Sequence, residues 1–333
     1  MDELRDQLIS KLKTLNETIW DGKVKTPYID AWLDNFEQDK IGNTSERIHA
    51  LYLLGQFMFF GDPQIRELLK AMFRDLYKYP LIERIRRSNS DTLDVLHINA
   101  RFAEELKQTR FLGVGNPAES GTHLLYFFRQ ENGLSKKLFI HGHQIFTRKR
   151  IASKTKLAWL KRVVAAIKGR TLSLKYPDVK TYVFIDDLCG SGTQAEEYST
   201  EILEDLKRLK PDVYVTYLSL FATSEGLNYI RNRTLFDWAD CIFELDDSFR
   251  CFDPLSRYFQ PAVAHIKPDF AKQMCMKYGQ RLFSIHPLGY GNSQLLLGLH
   301  HNTPDNTLPI FWSDGTTRFH WSPIFKRYPK IYA

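Results

Sequence analysis

An acidic pair that follows an apolar run is the feature of this chain whose residue types best suit chemistry. Asp186 and Asp187 come directly after the four apolar residues 182–185. A short run of β-branched and aromatic residues predicts a strand that is buried on both faces. Carboxylates at the end of such a strand can accept hydrogen bonds from sugar hydroxyls or face a metal ion. We therefore expect a polyol or metal site where this strand ends.

The loop after the acidic pair has the composition of a phosphate-binding loop. Its candidate phosphate-binding residues are Gly190, Ser191, Gly192, Thr193 and Gln194. Glycines permit a tight turn and a close approach of the backbone, and hydroxyls can donate to phosphate oxygens. A helix is predicted over residues 194–207, and the N–H groups at a helix start attract an anion. The stretch is thus predicted to hold a phosphate and a polyol together.

A second strand–loop–helix unit lies earlier in the chain. Residues 111–115 predict a strand and residues 123–130 a helix, with a small-residue loop between them. The candidate anion-binding residues of this loop are Glu119, Ser120 and Gly121. Ser and Thr are also common N-cap residues at the start of any helix. This loop therefore indicates an anion site only when it is considered together with the later loop.

The order of elements predicts the fold class and two domains. Strands alternate with helices over residues 110–245, which is the pattern of an α/β protein with a doubly wound parallel sheet. Both loops then lie at carboxyl ends of strands, where such sheets bind ligands. We expect residues 1–108 to form a helical N-terminal subdomain, with an apolar helix over residues 47–60, and residues 109–333 to form the α/β domain.

Two further segments offer groups to a ligand. The basic residues 147–156, with Arg148 and Lys149, can fold over a polyphosphate, and a solvated loop is an equal alternative. A polar loop near the C-terminus is flanked by aromatic residues, as in sites that recognise a planar base. Its candidate base-recognition residues are His301, Asn302 and Asn306, with His300 beside them. A structural turn is the alternative for this loop, and we favour the ligand-facing interpretation.

Composition narrows the class of protein. The 333 residues are 43% hydrophobic and 26% charged, as in an ordinary globular protein, and no apolar run reaches the length of a membrane helix. The four cysteines are scattered without a CxxC motif, which favours a reducing cytoplasm over a zinc site or disulfide framework. The net charge of +7 makes nucleic acid a conceivable partner, but a solvated basic surface is the favoured interpretation.

Residues 182–194 resemble the 5-phosphoribosyl-1-diphosphate (PRPP) signature of type I phosphoribosyltransferases. That signature is an apolar run, two acids, a variable stretch and a Thr/Ser-Gly-x-Thr/Ser loop. Asp186 and Asp187 match the acids, and the resemblance implies that they contact the ribose 2′ and 3′ hydroxyls. The signature ends in a residue with a hydroxyl group, but this chain has Gln194 at that position and its threonine, Thr193, one place earlier.

The order of the other parts matches the same family. Residues 118–121 lie where the family has its pyrophosphate loop, and residues 147–156 lie where it has a mobile lid. The resemblance also implies a C-terminal hood from about residue 250 and a Mg²⁺ ion that bridges phosphate oxygens, with Asp186 and Asp187 as candidate metal ligands.

Three stretches extend the resemblance over most of the chain. They are GNPAESGTHLLYFFRQEN, FIDDLCGSGTQ and HHNTPDNTLPIFW, and they look like those of a divergent phosphoribosyltransferase-like family of bacterial conflict (anti-phage) systems. That resemblance implies a cytoplasmic effector that a sensor protein activates, with the N-terminal helices as the contact surface.

Three functions follow as hypotheses. The first is an enzyme, a pentosyltransferase or nucleotide-cleaving glycosidase, that acts at ribose C1 of PRPP or a nucleotide through an oxocarbenium-like transition state. The second is a non-catalytic module that senses PRPP or a nucleotide, which the departure at Gln194 favours. The third, an effector directed at nucleic acid, is not favoured.

Overall fold

The computed structural model describes residues 2–37, 45–115, 120–149 and 171–328. Its helices are α1 (Asp2–Thr18), α2 (Thr26–Leu33), α3 (Glu46–Leu54), α4 (Asp62–Ala71), α5 (Tyr79–Ser88), α6 (Val95–Lys107), α7 (Ser120–Glu131), α8 (Thr193–Leu209), α9 (Ser224–Arg233), α10 (Pro268–Leu282) and α11 (Pro309–Trp312). A π-helical stretch, Met72–Lys78, joins α4 to α5. No helix in these described ranges has the length and apolar character needed to cross a membrane.

The strands are mostly short. They are β1 (Met58–Phe60), β2 (Thr109–Gly113), β3 (Phe146–Lys149), β4 (Thr171–Leu174), β5 (Thr181–Cys189), β6 (Tyr214–Thr223), β7 (Trp238–Leu245), β8 (Leu297–Leu299), β9 (Gly315–Thr316) and β10 (Phe319–His320). The largest sheet has the strand order β2-β5-β6-β7, and the remaining strands form two-stranded pairs.

The chain divides into two compact units. The helical unit comprises Met1–Leu68, Thr223–Glu225 and Glu244–Ala333, and the sheet unit comprises Leu69–Ala222 and Gly226–Phe243. This division does not follow the boundary expected at residue 108. Residues 69–107 join the sheet unit, and the C-terminal part of the chain joins the N-terminal helices rather than the α/β domain.

Side-chain packing explains why residues 69–107 belong with the sheet. Phe73 and Tyr77, on the π-helical stretch, pack against Phe111 of β2. Phe73 also makes an edge contact with Phe128 of α7. The hydroxyl of Tyr77 lies 2.8 Å from that of Thr109 at the start of β2. These aromatic contacts form one apolar layer over the sheet.

Long-range contacts likewise tie the C-terminal residues to the N-terminal helices. Strand β1 pairs with β8 in parallel, with Phe59 opposite Gly298. The indole Nε1 of Trp32 donates to the carbonyl oxygen of Ile310 over 2.7 Å, and both residues are buried. Apolar residues between Cys251 and Phe325 thus share one hydrophobic core with α1 to α3.

The main sheet confirms the predicted doubly wound α/β fold. Strands β2, β5 and β6 are parallel, with Leu112 opposite Phe184 and Phe184 opposite Tyr217. These three residues lie in one core cluster with apolar residues of α8 and α9. The preceding residue of β2, Phe111, instead contacts Phe128 of α7. Because alternate residues of a strand point to opposite faces, helices cover both faces of the sheet.

Candidate functional site

The two strands that precede the predicted loops end at one edge of the sheet. Strands β2 and β5 are parallel neighbours, and the N–H of Val114 continues their pairing by donating to Ile185 O over 3.0 Å. The chain then enters α7 after β2 and α8 after β5. The carboxyl ends of both strands, and the starts of the helices that follow them, therefore lie side by side, as a ligand site of an open α/β sheet requires.

Gly121 lies in the first turn of α7 and packs on the strand backbones. A Cβ at this position would lie 2.5 Å from Val114 O and 3.2 Å from Ile185 O. Only glycine permits this approach, so close packing of the helix on the sheet accounts for Gly121. Ser120 is the first residue of α7, and Glu119 lies outside the described residues.

The loop after β5 gathers two hydroxyl groups at the start of α8. Gly192 is the N-cap residue of this helix and has a left-handed backbone, with a φ of +83°. Ser191 Oγ lies 2.7 Å from Thr193 Oγ1. The hydroxyls and the first N–H groups of the helix are the donors that a phosphate needs.

A second helix supports this loop. A Cβ on Gly192 would lie 2.9 Å from Cδ1 of Tyr229 and 3.1 Å from Gly226 O, and both of these residues belong to α9. The hydroxyl of Tyr229 donates to Glu196 Oε2 in α8 over 2.6 Å. Gly226 itself approaches Gly190, because a Cβ on Gly226 would lie 2.1 Å from Gly190 O. Gln194, the departure from the signature, is exposed on α8.

The acidic pair lies within β5 rather than after it. The strand continues to Cys189, which pairs with Ala222 of β6. The sequence predicted that this strand ends at residue 185, but β5 extends to Cys189 because it continues to pair with β6. Asp186 and Asp187 differ in their exposure, since Asp186 is buried and Asp187 is half-buried.

Asp186 is buried and makes its hydrogen bonds inside the protein. Only 6% of the residue is exposed. The hydroxyl of Tyr217 donates to Asp186 Oδ2 over 2.9 Å, and the backbone N–H of Asp187 donates to Asp186 Oδ1 over 2.9 Å. Burial raises the pKa of Asp186 well above its usual value, and the neighbouring charge of Asp187 raises it further.

Asp187 is the more accessible member of the pair. Its side chain is partly exposed, and its Oδ1 accepts a hydrogen bond from the N–H of Leu188 over 2.9 Å. The two carboxyl groups also share a side-chain hydrogen bond, so they lie next to each other, and the implied contact of both with a ribose stays a prediction. Of the two, Asp187 is suited to contact a ribose.

A magnesium ion fits only one of the two candidate ligands. Within the described part of the chain, no three His, Cys, Asp or Glu residues cluster in a way that could hold a metal. Asp186 does not fit, because both of its oxygens accept internal hydrogen bonds and its pKa is raised by burial. Asp187 fits as a single carboxylate ligand, which suffices for an ion that is otherwise bound by phosphate oxygens and water.

The candidate base-recognition residues lie in the helical unit. Asn302 Oδ1 accepts hydrogen bonds from Thr303 N and Tyr328 N, over 3.0 and 3.1 Å. Asn306 is only 7% exposed, and its Nδ2 donates to Ser293 Oγ over 3.0 Å. These bonds hold the turn together, and base recognition by these residues stays a prediction. His301 is half-buried and His300 is exposed.

The lid candidates fall partly outside the described residues. Arg148 and Lys149 lie in β3, where their backbones pair with Leu172 and Thr171 of the antiparallel strand β4. The rest of the basic segment, residues 150–156, is outside the described ranges.

The residues that sequence reasoning missed are Tyr217 and Tyr229, which support the acidic pair and the loop. The one signal for Tyr217 is a tyrosine inside an apolar strand, since a buried phenol needs a hydrogen-bond partner. Tyr229 gives no such signal, because its partner Glu196 belongs to a different helix.

Comparison with known proteins places the chain in a family. Xanthine-guanine-hypoxanthine phosphoribosyltransferase of Helicobacter pylori is 11% identical, with a TM-score of 0.26 over 57% of this chain and 91% of that chain. Orotate phosphoribosyltransferase of Aeropyrum pernix is 14% identical, with a TM-score of 0.23 over 46% of this chain and 78% of that chain. A search of curated proteins gave no match. A family model described as PRTase-CE matches residues 29–327. The chain therefore belongs to the PRTase-CE family, whose members are phosphoribosyltransferase-like.

Proposed function

We propose that the sheet unit binds a ligand that carries a ribose 5-phosphate, either PRPP or a nucleotide, and acts at ribose C1. The observation that carries this proposal is the position of Asp187, on the strand that leads directly into the Ser191–Thr193 hydroxyl loop. Family membership supports the same ligand class. One carboxylate for a polyol and one donor-rich loop for a phosphate are what a ribose 5-phosphate requires.

Each part of the site has a role in this proposal. Ser191, Thr193 and the first N–H groups of α8 bind the 5-phosphate. Asp187 accepts hydrogen bonds from ribose hydroxyls and holds the sugar in one orientation. The start of α7, which follows the neighbouring strand β2, binds the departing pyrophosphate or nucleotide group through its backbone N–H groups.

The chemistry follows from this orientation. Departure of pyrophosphate or a base breaks its bond to C1 and leaves positive charge on the ribose ring, which the nearby carboxylate of Asp187 stabilises. An incoming base nitrogen, or a water oxygen that gives up its proton, then forms the new bond to C1. Mg²⁺, when bound, neutralises charge on the phosphate oxygens. Gly121 brings the first turn of α7 onto the ends of β2 and β5, so the N–H groups of that turn lie beside the ribose site.

A turnover assay tests the enzymatic proposal. The full-length protein is incubated with PRPP and Mg²⁺, with and without each common base, and separately with nucleoside monophosphates. Release of pyrophosphate or of free base is the expected result. Calorimetry in parallel measures binding of PRPP and of ribose 5-phosphate, and a protein that binds neither would overturn the proposed ligand class.

A module that binds the same ligand without turnover is the second candidate. The burial of Asp186 favours it, because one of the two acids of the signature is removed from the ligand. The exposed Gln194, in place of a hydroxyl, favours it as well. Calorimetric binding of PRPP without release of pyrophosphate or base would select this candidate.

The resemblance to proteins of bacterial conflict systems is the basis for a proposed role in the cell. We place the chain in the cytoplasm as an effector that a sensor protein activates through the N-terminal helices. Nucleic acid is not its ligand in this proposal. Cells that carry the complete system should survive phage infection, and an Asp187→Asn change should remove that protection. Unchanged protection would separate the defence role from the ribose-phosphate site.

A further inference from the structure

We propose that Asp186 and Tyr217 are positioning residues that hold the backbone of Asp187, and that Asp186 itself does not touch the ligand. The inference rests on the proposed function, because it concerns how Asp187 meets a ribose hydroxyl. It departs from the implied role of Asp186 as a direct ligand of the sugar.

A chain of hydrogen bonds runs from β6 to Asp187. Tyr217 is completely buried in β6, and its hydroxyl donates to Asp186 Oδ2 over 2.9 Å. Asp186 Oδ1 in turn accepts the backbone N–H of Asp187 over 2.9 Å. The Asp186 carboxyl thus joins a side chain of one strand to a peptide group of its neighbour.

The Tyr217 ring is fixed by its surroundings. It packs against Phe236 at a centroid distance of 5.5 Å, and it lies in register with Phe184 of β5. Because the ring is packed in this way, its hydroxyl oxygen stays in one position. The hydroxyl therefore acts as a rigid donor that sets the position of the Asp186 carboxyl.

The bond from Asp186 determines where the Asp187 carboxylate points. Fixing the peptide between Asp186 and Asp187 fixes the direction of the Cα–Cβ bond of Asp187. The N–H of Leu188 then holds Asp187 Oδ1 over 2.9 Å. With both its backbone and one carboxylate oxygen held, Asp187 meets a ligand already oriented, which lowers the entropic cost of binding.

Core packing alone does not explain an acid at position 186. The same face of β5 carries Tyr182 and Phe184, which lie in the core cluster covered by α8 and α9. An apolar side chain would fill this position without the cost of removing a carboxyl group from water. Replacing buried polar groups by apolar ones of similar volume is often neutral or stabilising. The acid is therefore present for the hydrogen bonds that it makes.

Three variants test the proposal by calorimetric binding of ribose 5-phosphate and of inorganic pyrophosphate. Tyr217→Phe removes the donor, and a loss of one buried hydrogen bond predicts about tenfold weaker binding of ribose 5-phosphate. Asp186→Leu should weaken the binding of ribose 5-phosphate by at least the same factor. Asp186→Asn should stay close to wild type, because the amide oxygen still accepts the Asp187 N–H and the amide nitrogen can donate to the Tyr217 hydroxyl.

Pyrophosphate, measured without Mg²⁺, is the internal control, since it lacks ribose hydroxyls. Its affinity should be the same in all three variants if they act on the orientation of Asp187. A general loss of folding would instead weaken both ligands. Tyr214→Phe is the matched variant, because it removes a hydroxyl from the first residue of the same strand, three residues before Tyr217, and it should leave both affinities unchanged.

A direct role for Asp186 would give the opposite pattern. Asp186→Asn would then lose as much affinity as Asp186→Leu, Tyr217→Phe would bind like wild type, and the proposal would be wrong. If Tyr217→Phe fails to fold, amide hydrogen exchange tests the proposal instead. The Asp187 N–H must then exchange slowly both in wild type and in Asp186→Asn. A wild-type protein that binds no ribose 5-phosphate overturns the proposed function first and this inference with it.

Discussion

The backbone N–H of Lys267 donates a hydrogen bond to Nε2 of His49 over 3.0 Å, so a histidine of α3 binds the N-cap residue of α10. The other ring nitrogen, Nδ1, lies 2.7 Å from Ser45 O and donates to it. This pair of bonds requires a neutral imidazole, because a protonated Nε2 cannot accept. Burial lowers the pKa of His49, and the neighbouring charge of Lys267 adds to this effect.

The first prediction is that His49 makes the helical unit sensitive to acid. Its pKa in the folded protein lies below its usual value of 6.5, so the unfolded chain binds the proton more readily. We therefore expect the free energy of unfolding to keep its full contribution from His49 above pH 6.5. It should decrease as the pH falls below 6.5, by at most about 1.4 kcal/mol per pH unit.

Thermal unfolding between pH 7.5 and pH 5 measures this effect. His49→Gln should flatten the dependence of the melting temperature on pH, since glutamine does not titrate. His320, an exposed histidine of the same unit, supplies the control, and His320→Gln should leave the slope unchanged. Parallel curves for His49→Gln and wild type would show that another group governs the acid response.

The second prediction concerns Asp187. Asp187→Asn should weaken binding of PRPP and ribose 5-phosphate by about tenfold to a hundredfold, because a charged acceptor for sugar hydroxyls becomes neutral. Stability should change little, since the amide oxygen can still accept the hydrogen bond from Leu188 N. Calorimetry measures the affinities, and Asp212→Asn, at an exposed position before β6, is the control that should bind like wild type.

The third prediction concerns Gly192, which has a φ of +83° at the N-cap of α8. Gly192→Ala should cost about 1–2 kcal/mol from the left-handed backbone alone. The added Cβ would also lie 2.9 Å from Tyr229 Cδ1 and displace the loop, so phosphate binding should weaken as well.

Gly133→Ala separates these two effects. Gly133 has a φ of +60°, but a Cβ there would meet no atom within 4 Å. It should therefore lose a similar amount of stability without any change in phosphate affinity. Urea unfolding and calorimetry measure the two quantities, and equal affinities for both glycine variants would argue against a phosphate role for the loop.

The local parts of the site could be predicted from sequence because short-range composition determines them. An apolar run such as residues 182–185 has few alternatives to a buried strand, and a Gly-Ser-Gly-Thr loop can form a tight turn before a helix. The alternation of such units after residue 110 then leads to a parallel sheet. These steps need no knowledge of distant contacts.

Features that depend on distant residues could not be predicted. Residues 47–60 have the apolar character of one helix, yet α3 ends at Leu54 and Met58–Phe60 form a strand, because β8 provides a pairing partner far along the chain. The burial of Asp186 likewise depends on Tyr217, whose position is known only once β6 lies beside β5. Domain boundaries also depend on such contacts, since residues between Cys251 and Phe325 return to pack with the N-terminal helices.

The last prediction is that Asp186 reduces stability at neutral pH. Its pKa is raised in the folded protein by burial and by the charge of Asp187, so folding favours the protonated form. The destabilisation is therefore absent below the usual value of 3.8, grows as the pH rises above it, and is complete above the folded pKa. Asp186→Asn should then unfold at a higher urea concentration than wild type at pH 7, and this gain should shrink as the pH approaches 4. Asp178→Asn, at an exposed position of the same unit, should show no such gain. A loss of stability in Asp186→Asn at pH 7 would instead mean that the ionised carboxyl is held by stronger favourable interactions than those with Tyr217 and the Asp187 N–H.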